Sequence, residues 1–257
     1  MSIESLLAWK AVAVGVWIAL LLAAERLVPA ATRPVEARGW PRLARNGGLW
    51  LLNAVLSPLA VVPLTLLASQ HTLDWRPAAW QGWPALLLDL LVLDALIYWW
   101  HRANHVLPFL WRFHAVHHLD RFLDASSAVR FHFGEVLLSA AARAAVIMLL
   151  DIPLVSVLVF EALVLMASIF HHSNLRLPER LEKLLARIVV TPSIHWMHHH
   201  PCRSDTDSNY ATILSLWDGL FGTRNAKRRR GDLPIGLEGE TRDADFLGLL
   251  AKPFRKG

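Results

Sequence analysis

Residues 94 to 118 read DALIYWWHRANHVLPFLWRFHAVHH, and this stretch organises the interpretation of the whole chain. It begins inside an apolar run that is long enough to lie in a bilayer. Five histidines follow, namely His101, His105, His114, His117 and His118. The last three are spaced i, i+3 and i+4, and the same spacing recurs in His195, His198 and His199. Because residues with this spacing share one face of a helix, each such histidine box is predicted to aim its imidazoles in one direction.

The composition points to a membrane protein. Of the 257 residues, 54% are hydrophobic and only 18% are charged, whereas soluble domains carry about 25% charged residues. The formal net charge is +5, and in a membrane protein basic loops report orientation and contact with anionic lipid rather than nucleic-acid binding. The single cysteine, Cys202, excludes an internal disulfide and a cysteine-based zinc site.

Four apolar stretches predict an all-α, multi-pass membrane bundle. The first three, residues 5–28, 49–69 and 84–100, are each interpreted as a transmembrane helix. The fourth covers residues 134–171 and is divided near its middle by Asp151-Ile152-Pro153. Neither half comfortably reaches the roughly 20 residues of a full span. We therefore expect a tight hairpin or a pair of tilted, partly re-entrant helices there.

Basic residues orient this bundle. The segment 29–48 contains four arginines and is assigned, with the basic tail, to the cytoplasm. The third apolar run then ends at His101 on the cytoplasmic side, and the other boxes fall on the same side. The expected architecture is a helical bundle with a cytoplasmic, histidine-rich helical cap. Its predicted divisions are transmembrane helices (1–83), a di-metal catalytic domain (84–224) and a basic tail (225–257).

Eight converging imidazoles would make a poor apolar core, because each ring has an N–H to satisfy. Metal ions remove this difficulty by taking the lone pairs. Eight ligands exceed the four of one zinc ion and suit two ions that keep open positions. Imidazole binds iron, zinc, copper and nickel alike. The membrane setting favours iron, because oxidation of an unactivated lipid C–H bond needs O₂ chemistry that side chains do not supply.

Further motifs accompany the boxes in a defined order. They are Arg130-Phe131-His132 with Glu135, His172-Ser173-Asn174, Thr191-Pro192, Asn209-Tyr210-Ala211 and Leu216-Trp217-Asp218-Gly219-Leu220-Phe221-Gly222-Thr223. Together with the boxes, and over about residues 90 to 224, this order resembles the fatty acid hydroxylase and sterol desaturase superfamily of membrane di-iron oxygenases. Any single box would be a weak signal, whereas the ordered set is specific.

The resemblance implies that all eight box histidines are metal ligands. It also implies a ligand near the His-Ser-Asn motif, where His171 and His172 are both available and the choice between them stays open. Some members carry another histidine four residues earlier, where this chain has Ala167 or Ser168. His132 lies in a family motif and is expected to act catalytically, by hydrogen bonding beside the metal rather than by metal contact.

Asp94 is the second predicted catalytic residue. It lies seven residues before His101 and so on the same helical face. An acid inside a membrane segment is costly and usually functional. We expect it to accept the free N–H of a ligand imidazole, which is a common arrangement around protein metal ions. The alternative is a buried ion pair with an arginine such as Arg143.

The function implied by the resemblance is O₂-dependent oxidation of a lipid. Hydroxylation is expected first and desaturation second, on a fatty acyl chain, a sterol or a related lipid. Two irons are the expected cofactor, and zinc is possible in purified protein. The sequence contains no His-Pro-Gly-Gly haem motif and no cysteine cluster, so a separate reductase or electron donor is expected. Compact loops and the absence of organelle targeting fit a bacterial inner membrane, with no nucleic-acid partner.

A different class of protein is also compatible with the histidines. A membrane zinc protein would hydrolyse a lipid or bind metal without O₂. A hydrolase requires a carboxylate base beside an open site, and Asp94 and Glu135 are the candidates. A transporter would distribute its ligands along a path across the bilayer, whereas here they cluster toward one face.

Overall fold

The structure is a computed structural model that describes residues 3–77, 80–231, 233–240 and 242–255. Within these ranges the chain forms helices joined by turns, with two isolated β-bridges and no β-strand. The α-helices in chain order are α1 (Ile3–Leu27), α2 (Trp40–Gln70), α3 (Gly82–Val106), α4 (Pro108–His118), α5 (Phe133–Leu150), α6 (Leu154–His172), α7 (Glu179–Leu185), α8 (Pro192–His198), α9 (Arg203–Thr206), α10 (Leu216–Leu220) and α11 (Phe246–Ala251). Short 3-10 turns cover Val35–Ala37, Ala125–Val129 and Lys252–Phe254.

Five of the described helices are long and apolar enough to cross a membrane, namely α1, α2, α3, α5 and α6. The predicted all-α, multi-pass bundle is therefore confirmed. Helices α5 and α6 have 18 and 19 residues, respectively, so both halves of the last apolar stretch are candidate spans. Asp151 ends α5 in the left-handed conformation, with φ of 52°, and the turn lies where the sequence predicted it.

Helix α2 begins at Trp40, earlier than the apolar run that starts at residue 49. Gly39, with φ of 85°, turns the chain into the helix, and Pro41 occupies its first turn, where the missing N–H is no disadvantage. The first turns of α2 therefore carry arginines that the sequence analysis had placed in a loop. Arg42 is accommodated there because its charge is paired inside the protein.

The buried pairing of Arg42 attaches α2 to the residues that follow the second histidine box. Its side chain is only 2% exposed. Nε and Nη2 donate to the two Asp120 oxygens at 2.7 and 2.8 Å, and Nη1 donates to Asp124 at 2.7 Å. A buried charge is strongly unfavourable unless it is paired. This ion-pair network therefore holds one end of α2 firmly beside α4.

The five long helices end at two opposite ends of the bundle. At the histidine end, Ala30 N after α1 donates to Asn174 O after α6 at 2.8 Å. At the far end, Leu73 N after α2 donates to Met148 O in α5 at 3.1 Å. The arginine-rich segment that follows α1 thus lies at the same end as the histidine boxes, in agreement with the topology prediction. The side of the membrane that this end faces stays a prediction.

The apolar core and the tail complete the frame. A buried cluster joins α2, α3, α5 and α6 in the half away from the histidines, and consists of Ala68, Leu93, Ala144, Ile147, Ile152, Val157 and Phe160. The described part of the tail returns to the histidine end, where Gly236 N donates to His199 O at 3.2 Å. Asp243 in the tail pairs with Arg45 at 2.9 Å and with Arg130 at 2.5 Å.

Candidate metal centre

Four helices deliver histidines to one end of the bundle. Helix α3 contributes two, α4 contributes three, the end of α6 contributes two, and α8 with its C-cap contributes three. They are His101, His105, His114, His117, His118, His171, His172, His195, His198 and His199. Helix α8 begins with Thr191 at the N-cap and Pro192 in its first turn.

Nine of these histidines form two compact groups. The first group is His101, His105, His114, His118 and His198; the second group is His117, His172, His195 and His199. Within each group, one ring nitrogen from every member lies within 4.8 Å of all the others. All members are buried except His101, which is half-buried. Two metal ions, one for each group, are therefore the arrangement that this geometry accommodates.

The boxes do not each aim at a single point, which corrects the sequence-based expectation. His114 and His118 join the first group, whereas His117 joins the second. In the later triplet the assignment is reversed. His198 joins the first group, whereas His195 and His199 join the second. The reason is helical geometry: at 3.6 residues per turn, positions i and i+4 are about 40° apart and i+3 is about 60° to the other side. Each of these two triplets thus contributes to both groups, whereas His101 and His105 both join the first group.

The distances inside the groups fit metal coordination. In the second group, His172 Nε2 lies 3.0 Å from His117 Nε2 and 2.9 Å from His195 Nε2. Also in that group, the Nε2 atoms of His195 and His199 are 3.1 Å apart. Lone pairs at such distances repel unless a proton or a cation lies between them. Two nitrogens that bind one ion at about 2.0–2.1 Å lie about 3 Å apart.

The outer ring nitrogen of most ligands is held by an acceptor. Four rings contact backbone carbonyls through Nδ1: His101 with Tyr210 (2.8 Å), His198 with Ser208 (2.7 Å), His117 with Arg130 (3.1 Å) and His172 with Ser168 (2.7 Å). Two contact carboxylates, His114 with Glu135 (2.7 Å) and His105 with Asp207 (3.3 Å). Because a carbonyl oxygen only accepts, Nδ1 carries the proton in the first four rings and Nε2 keeps the lone pair that a metal needs.

Unpartnered nitrogens support the same conclusion. His105 Nε2 and His198 Nε2 are buried and have no hydrogen-bond partner among the described residues. Buried polar atoms without a partner are rare in folded proteins. Both atoms belong to the first group, and in both rings the other nitrogen is already engaged. A bound cation would satisfy them.

Electrostatics keeps the rings neutral. Burial, reinforced by neighbouring imidazoles, holds the pKa of the rings outside the membrane spans well below the usual histidine value, namely those of His117, His118, His195, His198 and His199. A neutral imidazole has a free lone pair, whereas an imidazolium has none. These five rings are therefore in the state in which an imidazole binds metal.

The structure separates the two histidines that the sequence left undecided. His172 belongs to the second group, and its Nδ1 is fixed by the Ser168 carbonyl. His171 lies outside both groups, although its ring centroid is 4.0 Å from that of His195. Its Nδ1 has no hydrogen-bond partner among the described residues. His171 is thus a neighbour of the second group rather than a member of it.

The two predicted catalytic residues lie outside both groups. His132 is the N-cap of α5: its Nδ1 accepts from Gly134 N at 2.9 Å, and its Nε2 donates to Leu250 O at 3.2 Å. Asp94 is buried and accepts from Leu214 N at 3.1 Å and from Trp217 Nε1 at 2.8 Å. The contacts of both residues are therefore with backbone and helix-end groups rather than with a ligand imidazole.

Sequence reasoning missed most of the groups that orient the ligands. Glu135 was noted in a motif, but its contact with His114 depends on the crossing of α4 and α5. The carboxylate of Asp207 lies beside His105, with Oδ1 3.3 Å from Nδ1 of the ring. The carbonyl acceptors carry no signal at all, because every residue type has the same backbone carbonyl. Only the first of these contacts had a sequence signal that could have revealed it.

Taken with the five long apolar helices, the two histidine groups define the class of this protein as a membrane protein with a candidate di-metal centre. The fatty acid hydroxylase family model matches residues 86–223, more than half of the chain. The chain belongs to the fatty acid hydroxylase family, and the predicted superfamily resemblance is confirmed.

Named relatives are similar over different shares of the chain. Ornithine lipid hydroxylase OlsE of Rhizobium tropici is 31% identical over 218 residues, which cover 84% of this chain and 65% of the relative. Alkylglycerol monooxygenase of Danio rerio is 32% identical over 151 residues, covering 59% of this chain and 32% of the relative. The human alkylglycerol monooxygenase is 30% identical over 142 residues, which cover 54% of this chain and 30% of the relative. The chain thus spans less than two thirds of the length of these relatives, and no solved structure matches it significantly.

Proposed function

We propose that this chain is a membrane di-iron oxygenase that hydroxylates a lipid with O₂ and externally supplied electrons, with desaturation as the second possible outcome. The observation that carries the proposal is the pair of adjacent histidine groups at one end of a membrane bundle. The family supports it, and so do relatives named as a lipid hydroxylase and as monooxygenases. The substrate is a fatty acyl chain, a sterol or a related lipid.

The metal ligands that we propose are the nine members of the two groups. The donor set consists of imidazoles only, which suits iron and also accommodates zinc. Iron, when bound, would supply the activation of O₂ that no side chain provides. Five ligands in the first group and four in the second leave coordination positions for other molecules on a six-coordinate ion.

The chain itself contributes orientation and the exclusion of water. Backbone carbonyls hold the Nδ1 protons of His101, His117, His172 and His198, so that these rings are fixed before a metal arrives. Preorganised ligands of this kind lower the reorganisation that a reaction requires. Eight of the nine rings are buried, which keeps bulk water away from reactive species and from the lipid C–H bond.

The competing function, zinc-dependent hydrolysis, finds less support in the site. Both oxygens of Asp94 already accept hydrogen bonds from the segment 213–217. Glu135 contacts His114 through Nδ1, whereas the Nε2 of that ring faces His118 in the first group. Asp94 is fully engaged by hydrogen bonds, and Glu135 lies behind a candidate ligand rather than beside an open metal position.

We also propose the setting in which the enzyme works. A separate electron donor supplies reducing equivalents, because the chain has one cysteine and no haem motif with which to carry its own electron-transfer centre. The arginine-rich segment at the histidine end favours the cytoplasmic side of a bacterial inner membrane for the metal centre. We assign residues 84–224 to the catalytic domain, with the N-terminal transmembrane helices before it (1–83) and the basic tail after it (225–257).

The first test is the metal content of protein purified anaerobically in detergent with iron present. The parent chain is expected to hold about two irons. His198→Ala should lower the metal occupancy of the first group and His117→Ala that of the second, and the double variant should lower both. His200→Ala is the matched control, because His200 follows the third box but pairs with Asp205 instead of joining a group.

The second test is lipid-dependent O₂ uptake by the iron-loaded parent, with product mass measured for a panel of acyl, sterol and amino-lipid substrates. A gain of one oxygen atom is expected for hydroxylation, and a loss of two hydrogens for desaturation. Protein that holds a single zinc despite iron supplementation, and that hydrolyses lipid without O₂, would contradict the proposal and establish the hydrolase.

A further inference from the structure

The carboxylate of Glu135 contacts His114 of the first group through Nδ1, the ring nitrogen other than the one that faces His118. Glu135 lies in the first turn of α5, and its Oε1 is 2.7 Å from His114 Nδ1. Both side chains are buried, with 6% exposure for Glu135 and 2% for His114. The only ion-pair partner of Glu135 among the described residues is this imidazole.

The contact determines the tautomer of His114. An ionised carboxylate only accepts hydrogen bonds, so Nδ1 carries the proton. The lone pair is then on Nε2, which lies 3.3 Å from His118 Nε2 inside the first group. A hydrogen bond from an imidazole to a carboxylate is charge-assisted, and such hydrogen bonds are shorter and stronger than those to a neutral carbonyl. Glu135 therefore makes His114 a stronger electron donor toward a metal than a carbonyl acceptor would.

The carboxylate also needs a positive charge nearby. Asn104 Nδ2 donates to Oε1 at 3.3 Å, but Oε2 has no hydrogen-bond partner among the described residues. A buried carboxylate without a counter-charge is strongly unfavourable. A cation bound to Nε2 of His114 would supply that charge through the imidazole. The contacts of Glu135 therefore favour a cation at the first group.

The second group lacks this arrangement. His117 and His172 place their Nδ1 protons on the carbonyls of Arg130 and Ser168, which are uncharged. Among the described residues, the other carboxylate contact of the first group is the longer one of 3.3 Å between Asp207 and His105. Asp207 is one-third exposed and also paired with Arg203, so its charge is already partly compensated. The two groups therefore differ in the carboxylate that lies behind His114, in addition to the five and four histidines that they contain.

We propose that Glu135 is a positioning residue that sets the tautomer and donor strength of His114, and thereby makes the first group the tighter of two unlike metal sites. The proposal rests on the proposed function in assuming that both groups bind metal. It goes further in assigning to one carboxylate the difference between the sites. It predicts sequential rather than simultaneous filling of the two groups.

The test is titration of metal-free protein with Co²⁺ against a competing chelator, in detergent and without O₂, followed by the visible cobalt spectrum. Two unequal affinities are expected for the parent. Glu135→Gln keeps the side-chain shape and an acceptor oxygen but removes the charge. It is expected to weaken the tighter site by about 10- to 100-fold, the range found when groups behind a metal ligand are altered. The weaker site and its part of the spectrum should not change.

Two further variants separate positioning from folding. Glu161→Gln is the matched control, because Glu161 is also a helix-borne, partly buried carboxylate but pairs with Lys10 and Arg143. It should leave both affinities unchanged. In a His114→Ala background the first group keeps four histidines, and Glu135→Gln should then have no further effect, because a residue that acts through His114 has nothing left to act on.

Three outcomes would overturn the proposal. Parent protein that binds no cobalt would refute the di-metal function and this inference together. Two ions bound as in the parent after Glu135→Gln would refute the inference while the di-metal centre stands. An equal loss of affinity with and without His114 would show that Glu135 supports the fold and does not position the ligand.

Discussion

His117 and His118 are neighbours in the chain but belong to different histidine groups, and so do His198 and His199. Consecutive helical residues point about 100° apart. An adjacent pair at the boundary between two sites can therefore serve one site each. A third histidine, four residues before one member of the pair, points in nearly the same direction as that member. It therefore adds a second imidazole to the same group. The spacing i, i+3, i+4 is thus suited to a helix that lies between two metal ions.

The role of Asp94 depends on which groups contact its carboxylate. A catalytic or ligand-orienting role predicts that loss of its charge disturbs the metal. In the structure, its carboxylate instead accepts hydrogen bonds from the backbone N–H groups of Ile213 and Leu214 and from the indole N–H of Trp217. These contacts fix the start of α10 against α3.

We predict that Asp94→Asn lowers stability but leaves the metal centre intact. The amide has one acceptor oxygen where the carboxylate has two, so a buried donor loses its partner at a cost of about 1–3 kcal/mol. Thermal unfolding in detergent and iron content should be measured together. Asp74→Asn, at an exposed position, is the control and should change neither. Iron loss from Asp94→Asn with unchanged unfolding would instead support the catalytic role.

At the scale of elements, the ligand geometry depends on the close approach of α4 and α5. A Cβ added at Gly134 in the first turn of α5 would lie 2.5 Å from the Phe113 ring of α4 and 3.0 Å from His132 Nδ1. Phe113 precedes His114, and Glu135 follows Gly134. The missing side chain at residue 134 therefore lets the carboxylate reach the imidazole.

Gly134→Ala is predicted to separate these helices. Overpacking of a well-packed contact costs about 1–3 kcal/mol, and the helix shift should also weaken cobalt binding at the first group. Gly47→Ala is the matched control, since a Cβ there meets nothing within 4 Å and alanine stabilises a helix interior by about 0.5–1 kcal/mol relative to glycine. Unfolding and cobalt titration of the two variants give the comparison. Equal stability of both would show that α4 and α5 tolerate a larger separation.

At the scale of the whole molecule, one end of the bundle carries the candidate metal centre and the other end does not. The histidine groups, the arginine-rich segment after α1 and the returning tail lie together. The far end carries tryptophans and the ion pair of Arg76 with Asp89. Because the two ends differ, the orientation in the membrane can be measured by labelling a single cysteine that is placed at one end or at the other.

Cys202 is the single cysteine and is exposed at the histidine end. If that end is cytoplasmic, a membrane-impermeant maleimide should label Cys202 in inside-out vesicles but not in intact cells. A Cys202→Ser, His71→Cys variant moves the thiol to the far end and should label in the opposite pattern. Reversed patterns for both proteins would place the metal centre outside the cell. Labelling of both thiols from one side would contradict the two-ended bundle.

Much of this protein follows from the sequence alone. The long apolar runs predicted the membrane helices, because length and hydropathy are local properties, and Asp151-Ile152-Pro153 located the turn between α5 and α6. Box spacing and motif order predicted the family and the set of candidate ligands. The position at which α2 begins was not predictable, because Arg42 is stable inside the protein only through carboxylates 78 and 82 residues further along the chain.

The distribution of the histidines between two groups was decided by the tertiary structure. Spacing along one helix shows which side chains share a face, but the first group takes its members from α3, α4 and α8, and the second from α4, α6 and α8 together with the C-cap of α8. Those helices meet through packing and buried ion pairs between distant residues. The choice of His172 over His171, and the contact of Glu135 with His114, have the same origin. A coordination site is a property of converging helices, and convergence is not encoded in any single stretch of sequence.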